Sequence, residues 1–381
     1  MNVGYNPNSM RWERWSDMGK WAKLAVLALG LVLAAFPQKQ KKEENQVLQF
    51  PKDLPSAVEG DPRHFSFYVT PLSPKGQLSK QVRDALAALN RESRGDTILK
   101  IRAFVAGSGD GRRVRDIVSE VFTDHKQPLP ALSLVQAGGL PDGAQVVLEA
   151  IAVARREVNP QGLAFLSAQV ASADDPAAAV APLVGKSLNN LGLALKASGS
   201  EPSDVVRLSC FLSSLDDLEA VRKQVEEQYP TAAADFVKTQ RSPARGLAAC
   251  EAVAKLRVDA ASGLRLMNSA QLPAAPGGSQ IALVASSKVV LTGTQLSFGF
   301  EEKDARLAFE RLGKALSQAG ASMHDVAFAH FYPLAPAIAA QVEKVRGDFF
   351  DPRRLPASSQ LIFEGLSSMN AGFAFDVVAV K

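Results

Sequence analysis

SDVVRLSCFLSSLDDLEAVRKQVEEQYP, residues 203–230, is the stretch from which the fold can be read. Its first ten residues alternate, with Val206, Leu208 and Cys210 on one face, as in a half-buried strand. SSLDD then offers turn residues and an N-cap. Leu218, Val221 and Val225 follow at helical spacing until Tyr229-Pro230 stops the run. A strand that leads into an amphipathic helix needs a sheet to receive the helix, so more strands should flank it. Upstream, LAFLSAQV (163–170) reads as a strand, and Val184, Leu188, Leu191 and Leu195 stripe a helix; downstream, CEAVAKLR (250–257) closes the unit as a last strand.

The same order occurs twice more. After residue 280 come KVVLTGTQL (288–296), a helix bearing Ala308, Leu312, Ala315 and Leu316, then HDVAFAHFYPL (324–334). A second helix with Ile338, Val342, Val345 and Phe349 leads to the strands SSQLIFEGL (358–366) and GFAFDVVAVK (372–381). The first copy runs from FSFYV (65–69) through a helix with Val82, Leu86 and Leu89 to TILKIRAFVAG (97–107). It continues with a helix carrying Val114, Ile117, Val118 and Val121, then two strands in ALSLVQAGGLPDGAQVVLEAIAVA (131–154) joined by a Gly/Pro turn. A period near a hundred residues marks duplicated domains rather than a solenoid. The expected units are 63–156, 161–258 and 280–381, each of α/β (α+β) class, a mixed sheet with two helices on one face. ARREVNPQG (154–162) and LRLMNSAQLPAAPGGSQ (264–280) read as connections between them.

Composition bounds the rest. With 381 residues, 46% hydrophobic and 22% charged, the chain is neither collagen-like, disordered nor a multi-span membrane protein. Cys210 and Cys250 are too few for a disulfide framework or a four-cysteine zinc site. Residues 1–45 hold seven basic and four acidic side chains, hence +3 of the net +4. The remainder is nearly neutral, so no nucleic-acid partner is expected. Within that leader LAVLALGLVLAAF (24–36) follows a basic flank. Its length suits a signal-peptide core and falls short of the ~20 residues of an ordinary spanning helix. Residues 1–37 therefore read as a signal peptide or an N-terminal membrane anchor, and 38–62, charged and broken by Pro51 and Pro55, as a linker. Either reading exports the remainder, to the periplasm or to the periplasmic face of the inner membrane, with membrane contact only through the N-terminal segment.

Several motifs resemble one known family. QPLPALSLVQAGGLPDGAQVVLEAIAVA, FLSAQV, SLNNLGLALKASGSEPSDVVRLSCFLSSLDDLEAV, SPARG, VVLTGTQL and RRLPASSQLIFEGL are similar to successive parts of RidA/YjgF domains, the reactive-intermediate deaminases once labelled L-PSP endoribonucleases. Each motif is short; their ordered recurrence carries the resemblance. It implies three chorismate-mutase-like units, closed into a pseudo-trimer within one chain and monomeric, with ligand pockets between neighbouring units. The alternative is three units strung without closure.

The resemblance also implies a chemistry, hydrolysis of amino-acid-derived enamines and imines to a 2-oxo acid and ammonia, without a cofactor. The family's substrate carboxylate is held by an arginine in a P-A-R-S-type motif, a role suited to a planar fork. Pro243-Ala244-Arg245-Gly246 matches it, whereas the other copies have Pro130-Ala131-Leu132-Ser133 and Pro356-Ala357-Ser358-Ser359. Arg245 is thus the candidate for substrate binding. The family's water-positioning glutamate is replaced by Val147 and Ala374 in copies one and three, leaving Glu149 and Asp376 at the next acidic place, which Glu251 matches in copy two. An early S-G-Q-type turn persists as Ser167-Ala168-Gln169 and Thr292-Gly293-Thr294, so Ser167 and Gln169 are candidate ligand contacts; copy one has Val69-Thr70-Pro71. The expected function is weak hydrolysis or binding of small 2-imino or 2-oxo acids at one pocket, and the alternative is a degenerate ligand-binding or protein-interaction module.

Other features point nowhere else. GSGDG (107–111) sits where a phosphate loop would, but no Walker lysine follows. His64, His125, His324 and His330 have no metal-ligand spacing, so no metal is expected, and no G-x-S-x-G elbow occurs. Both cysteines fall on strands of copy two and are expected as buried free thiols, although export would permit a disulfide if they lie close.

Overall fold

The computed structural model describes residues 51–107, 111–258, 260, 262–274 and 277–381, and concerns the body Pro51–Lys381. The leader and most of the linker, with the tip of the GSGDG loop, lie outside the described residues. β1 (Ala57–Gly60) precedes the first unit: β2 (Phe65–Val69), α1 (Leu78–Glu92), β3 (Thr97–Ala106), α2 (Gly111–Asp124), β4 (Ala131–Ala137) and β5 (Val146–Val153). The second holds β6 (Leu163–Ala173), α3 (Val180–Ser198), β7 (Val205–Leu212), α4 (Leu218–Gln228), β8 (Ala233–Lys238) and β9 (Gly246–Lys255). β10 (Leu264–Met267) and β11 (Ile281–Val284) lead to the third: β12 (Val289–Thr292), β13 (Gln295–Phe298), α5 (Glu302–Gln318), β14 (Val326–Pro333), α6 (Pro336–Arg346), β15 (Ala357–Gln360), β16 (Gly365–Leu366) and β17 (Ala371–Val380).

Each unit builds one mixed sheet around the same motif. β3 pairs in parallel with β4 and antiparallel with β5, which carries β2; β7, β8, β9 and β6 repeat this, and β14, β15, β17 and the β12/β13 pair repeat it again. The helices cover one face of each sheet. On α3 the expected stripe of Val184, Leu188, Leu191 and Leu195 is buried, and Gly199 ends the helix at φ 77°, where a side chain would be strained. Each such Leu contributes roughly 1.5–3 kcal/mol by leaving water. The SSLDD turn does cap a helix, though not its own: the Asp217 carboxylate accepts from the Val180 backbone N–H (2.9 Å) at the start of α3.

The opposite faces of the three sheets meet. Because side chains alternate along a strand, three consecutive inward positions from β3, β7 and β14, and from β5, β9 and β17, form three layers. One layer holds Ile151, Val253, Phe328 and Val378 together with Lys100 and Arg207, whose charged ends reach the carboxylates of the next layer. Another is apolar, with Phe104, Val147, Phe211, Ala249, Tyr332 and Ala374. Between them lies a layer of ionic side chains. The units therefore close on one another, and the alternative of units strung without closure does not hold.

Two expectations change here. Two of the stretches read as connections contain strands: β1, within 38–62, pairs with β12 of the third unit, and β10, within 264–280, pairs with β11; β11 and β16, both within the expected third unit, add instead to β6 of the second and β4 of the first. Cys210 and Cys250 are not free thiols; the β7–β9 register sets them opposite each other and they form a disulfide.

Candidate functional site

The ionic layer repeats one register position three times. Arg102 faces Glu149 on β5, Ser209 faces Glu251 on β9, and His330 faces Asp376 on β17. Arg102 bridges two units: it donates to Glu149 at 2.7 and 2.8 Å and to Glu251 at 2.8 Å. Arg207 lies 3.4 Å from Glu149 and 3.1 Å from Glu251. Lys100 donates to Ser133 (2.7 Å) and to the Thr292 carbonyl, with Asp376 at 3.3 Å. The two ring nitrogens of His330 lie 3.0 Å from Glu251 and 3.2 Å from Asp376, and Tyr332 donates to Asp376 at 2.9 Å.

Burial alone would raise these carboxyls, but the cations over-compensate. Arg102 and Arg207 hold Glu149 at about 2. Glu251 is held well below the carboxylate range by His330 and Arg102, and Asp376 far below it by Lys100 and its hydrogen bonds. Burial lowers Lys100, with Asp376 opposing. The void at this layer is about 30 Å³, room for one water and no larger ligand.

Ligand-sized space lies instead at the three junctions between units. Between units one and two, Thr70 and Pro71 face Ala234, Asp235 and Phe236 across a cavity of about 320 Å³. Between units two and three, Ser167 and Gln169 face Ser358 and Gln360 across about 300 Å³. Between units three and one, Gly293 and Thr294 face Leu132 and Leu134 across about 380 Å³. Each cavity thus joins the early turn of one unit to the parallel edge strand of the next.

Register corrects the motif alignment. Lys100 pairs with Ala131, Arg207 with Ala233 and Phe328 with Ala357, so the next positions, Leu132, Ala234 and Ser358, are equivalent. These are the residues that line the cavities, and the position given to Arg245 by its motif belongs to Ala234. Arg245 is exposed in the turn before β9 and lines none of these cavities. Glu251 is buried in the ionic layer, apart from Arg245. Ser167 and Gln169 do come together in one cavity, where the Gln169 amide donates to the Ser167 carbonyl at 2.8 Å. The water-positioning place, two residues before each acid, holds Val147, Ala249 and Ala374, all in an apolar layer.

Sequence reasoning missed Arg346 of α6, which enters the cavity between units two and three. It is buried, 5.6 Å over the Phe331 ring, and 3.4 Å from Glu343; burial lowers its pKa, with Glu343 opposing. The Gln360 side-chain oxygen in the same cavity is buried without a hydrogen-bond donor among the described residues. No group of described side chains is arranged to hold a metal ion.

Solved structures of this kind are similar to the chain about one unit at a time. A Rid-family protein, YyfB, from Yersinia pestis is 20% identical, with 31% of this chain and 99% of that one covered at a TM-score of 0.29. The likeness spans roughly a third of this chain. The YjgF gene product of E. coli is 27% identical over 28% of this chain and 85% of its own, TM-score 0.21. RidA from an Antarctic Psychrobacter is 19% identical over 31% and 99%, TM-score 0.23. No family model matches the sequence, and no curated relative does.

Proposed function

We propose that this protein is an exported, RidA-like ligand-binding module rather than an imine deaminase. One observation carries the reading: the edge-strand position that lines each inter-unit cavity is Leu132, Ala234 or Ser358, and none of these can hold a carboxylate as an arginine fork does. The apolar residues at the water-positioning place support it further.

The cavity between units two and three is the binding site in this reading. Arg346 supplies the cation from a helix instead of a strand, Ser358 leaves room beside it, and the unfilled Gln360 oxygen accepts from a ligand N–H or O–H. A small carboxylate with a polar second group suits that set. Calorimetric titration of the full chain with 2-oxobutyrate tests it. Binding should survive Arg245→Ala and weaken at least about tenfold in Arg346→Gln, the loss of one charge-assisted contact. Binding lost in Arg245→Ala and kept in Arg346→Gln overturns the assignment.

A further inference from the structure

Of the three cavities, the one between units one and two has the opposite electrostatic character. At the position where its neighbours on the edge strands carry Ser133 and Ser359, β8 carries Asp235. Asp235 is 4% exposed and lines the cavity, and neither carboxyl oxygen receives a hydrogen bond from the described residues. Ser209, its cross-strand partner, has one hydroxyl proton and gives it to Glu149 at 2.7 Å. A buried carboxyl without donors is costly unless it is protonated or a ligand supplies them.

The surroundings indicate which ligand. Burial first, and ionised Glu149 second, push the Asp235 carboxyl well above the usual carboxylate range. Arg102 and then Ser209 act in the other direction, but the guanidinium is already bonded to Glu149 and Glu251 and the Ser209 hydroxyl donates to Glu149. At the cavity mouth Arg222 is paired with Asp142 (2.8 Å) and Glu219 (3.0 Å). Ala234 fills little of the space that a larger side chain would take. The empty volume therefore adjoins a carboxyl whose proton can be displaced, and the nearby cations are already paired.

We propose that the cavity between units one and two binds a small organic cation, a primary ammonium group, on Asp235. The ammonium N–H groups donate to the Asp235 oxygens, and the carboxylic proton leaves to solvent as the ion pair forms. Charge balances as one cation bound and one proton released. This site is separate from the carboxylate site at Arg346, so either can fail without the other.

Ethylammonium chloride, with acetamide as a neutral probe of similar size, tests this on the full chain. Calorimetry in buffers of different ionisation enthalpy, at pH 7, should give ethylammonium at least about tenfold tighter than acetamide, with release of about one proton. Asp235→Asn should abolish the preference and the proton release. Should that variant fail to fold, infrared spectroscopy of the unsubstituted protein decides: the protonated-carboxyl band of Asp235 should vanish on saturation with ethylammonium. Equal binding of the two probes, unchanged preference in Asp235→Asn, or a band that persists with ethylammonium overturns the proposal in favour of a site filled by water.

Discussion

Replacing Arg102 by Met removes the hub of the ionic layer while keeping much of its volume. Its contacts to Glu149 and Glu251 are 2.7–2.8 Å, and all three side chains are at most 3% exposed, so solvent screens little. Breaking a buried pair by removing one partner costs roughly 3–5 kcal/mol. The pKa of Glu149 gives a second route to the size. Its folded value is about 2 against a usual 4.5, a depression worth roughly 3 kcal/mol that Arg102 shares with Arg207. A depressed carboxyl stabilises the fold above its unfolded pKa and loses that contribution as pH falls toward the folded one. Urea unfolding followed by circular dichroism should therefore show Arg102→Met about 3–5 kcal/mol less stable at pH 7, with the gap narrowing by about 2 kcal/mol between pH 5 and pH 3. A loss below about 1 kcal/mol, or a gap independent of pH over that range, refutes the account of the layer.

Reduction of the Cys210–Cys250 disulfide, which spans a sequence separation of 40, should lower unfolding stability by up to about 4 kcal/mol, read as the shift in urea midpoint with and without reductant. No shift would mean the bond contributes nothing to the folded body. Residues 1–45 fused to a reporter active only outside the cytoplasm should give signal, and Leu29→Arg in that leader should remove it; a silent fusion contradicts export.

The helices were legible because their apolar residues recur at 3.6-residue spacing: the stripes on α3 and α5 are buried as expected. β8 was not legible. TAAADFVK has small residues and an acid where a strand of this position would show large apolar ones, because its inward side chain is Asp235 at the cavity edge. Without a visible strand pattern there, the motif match at Pro243-Ala244-Arg245-Gly246 gives Arg245 a role whose register position is that of Ala234. The ionic layer had a signal that could have been used. LKIRAFV, VVRLSCF and FAHFYPL each carry polar residues at inward positions of an otherwise apolar strand, and each unit's last strand carries one acid at the same place. Strand pairing was needed to show that these face one another across units, and equally to set Cys210 against Cys250.

In the proposed reading, none of the three cavities among the described residues retains deaminase chemistry. Ammonia release from freshly generated 2-iminopropionate, followed with the full chain, tests it most directly. The account predicts a rate equal to that of buffer alone. Saturable ammonia release that Arg245→Ala or Arg346→Gln abolishes would contradict it.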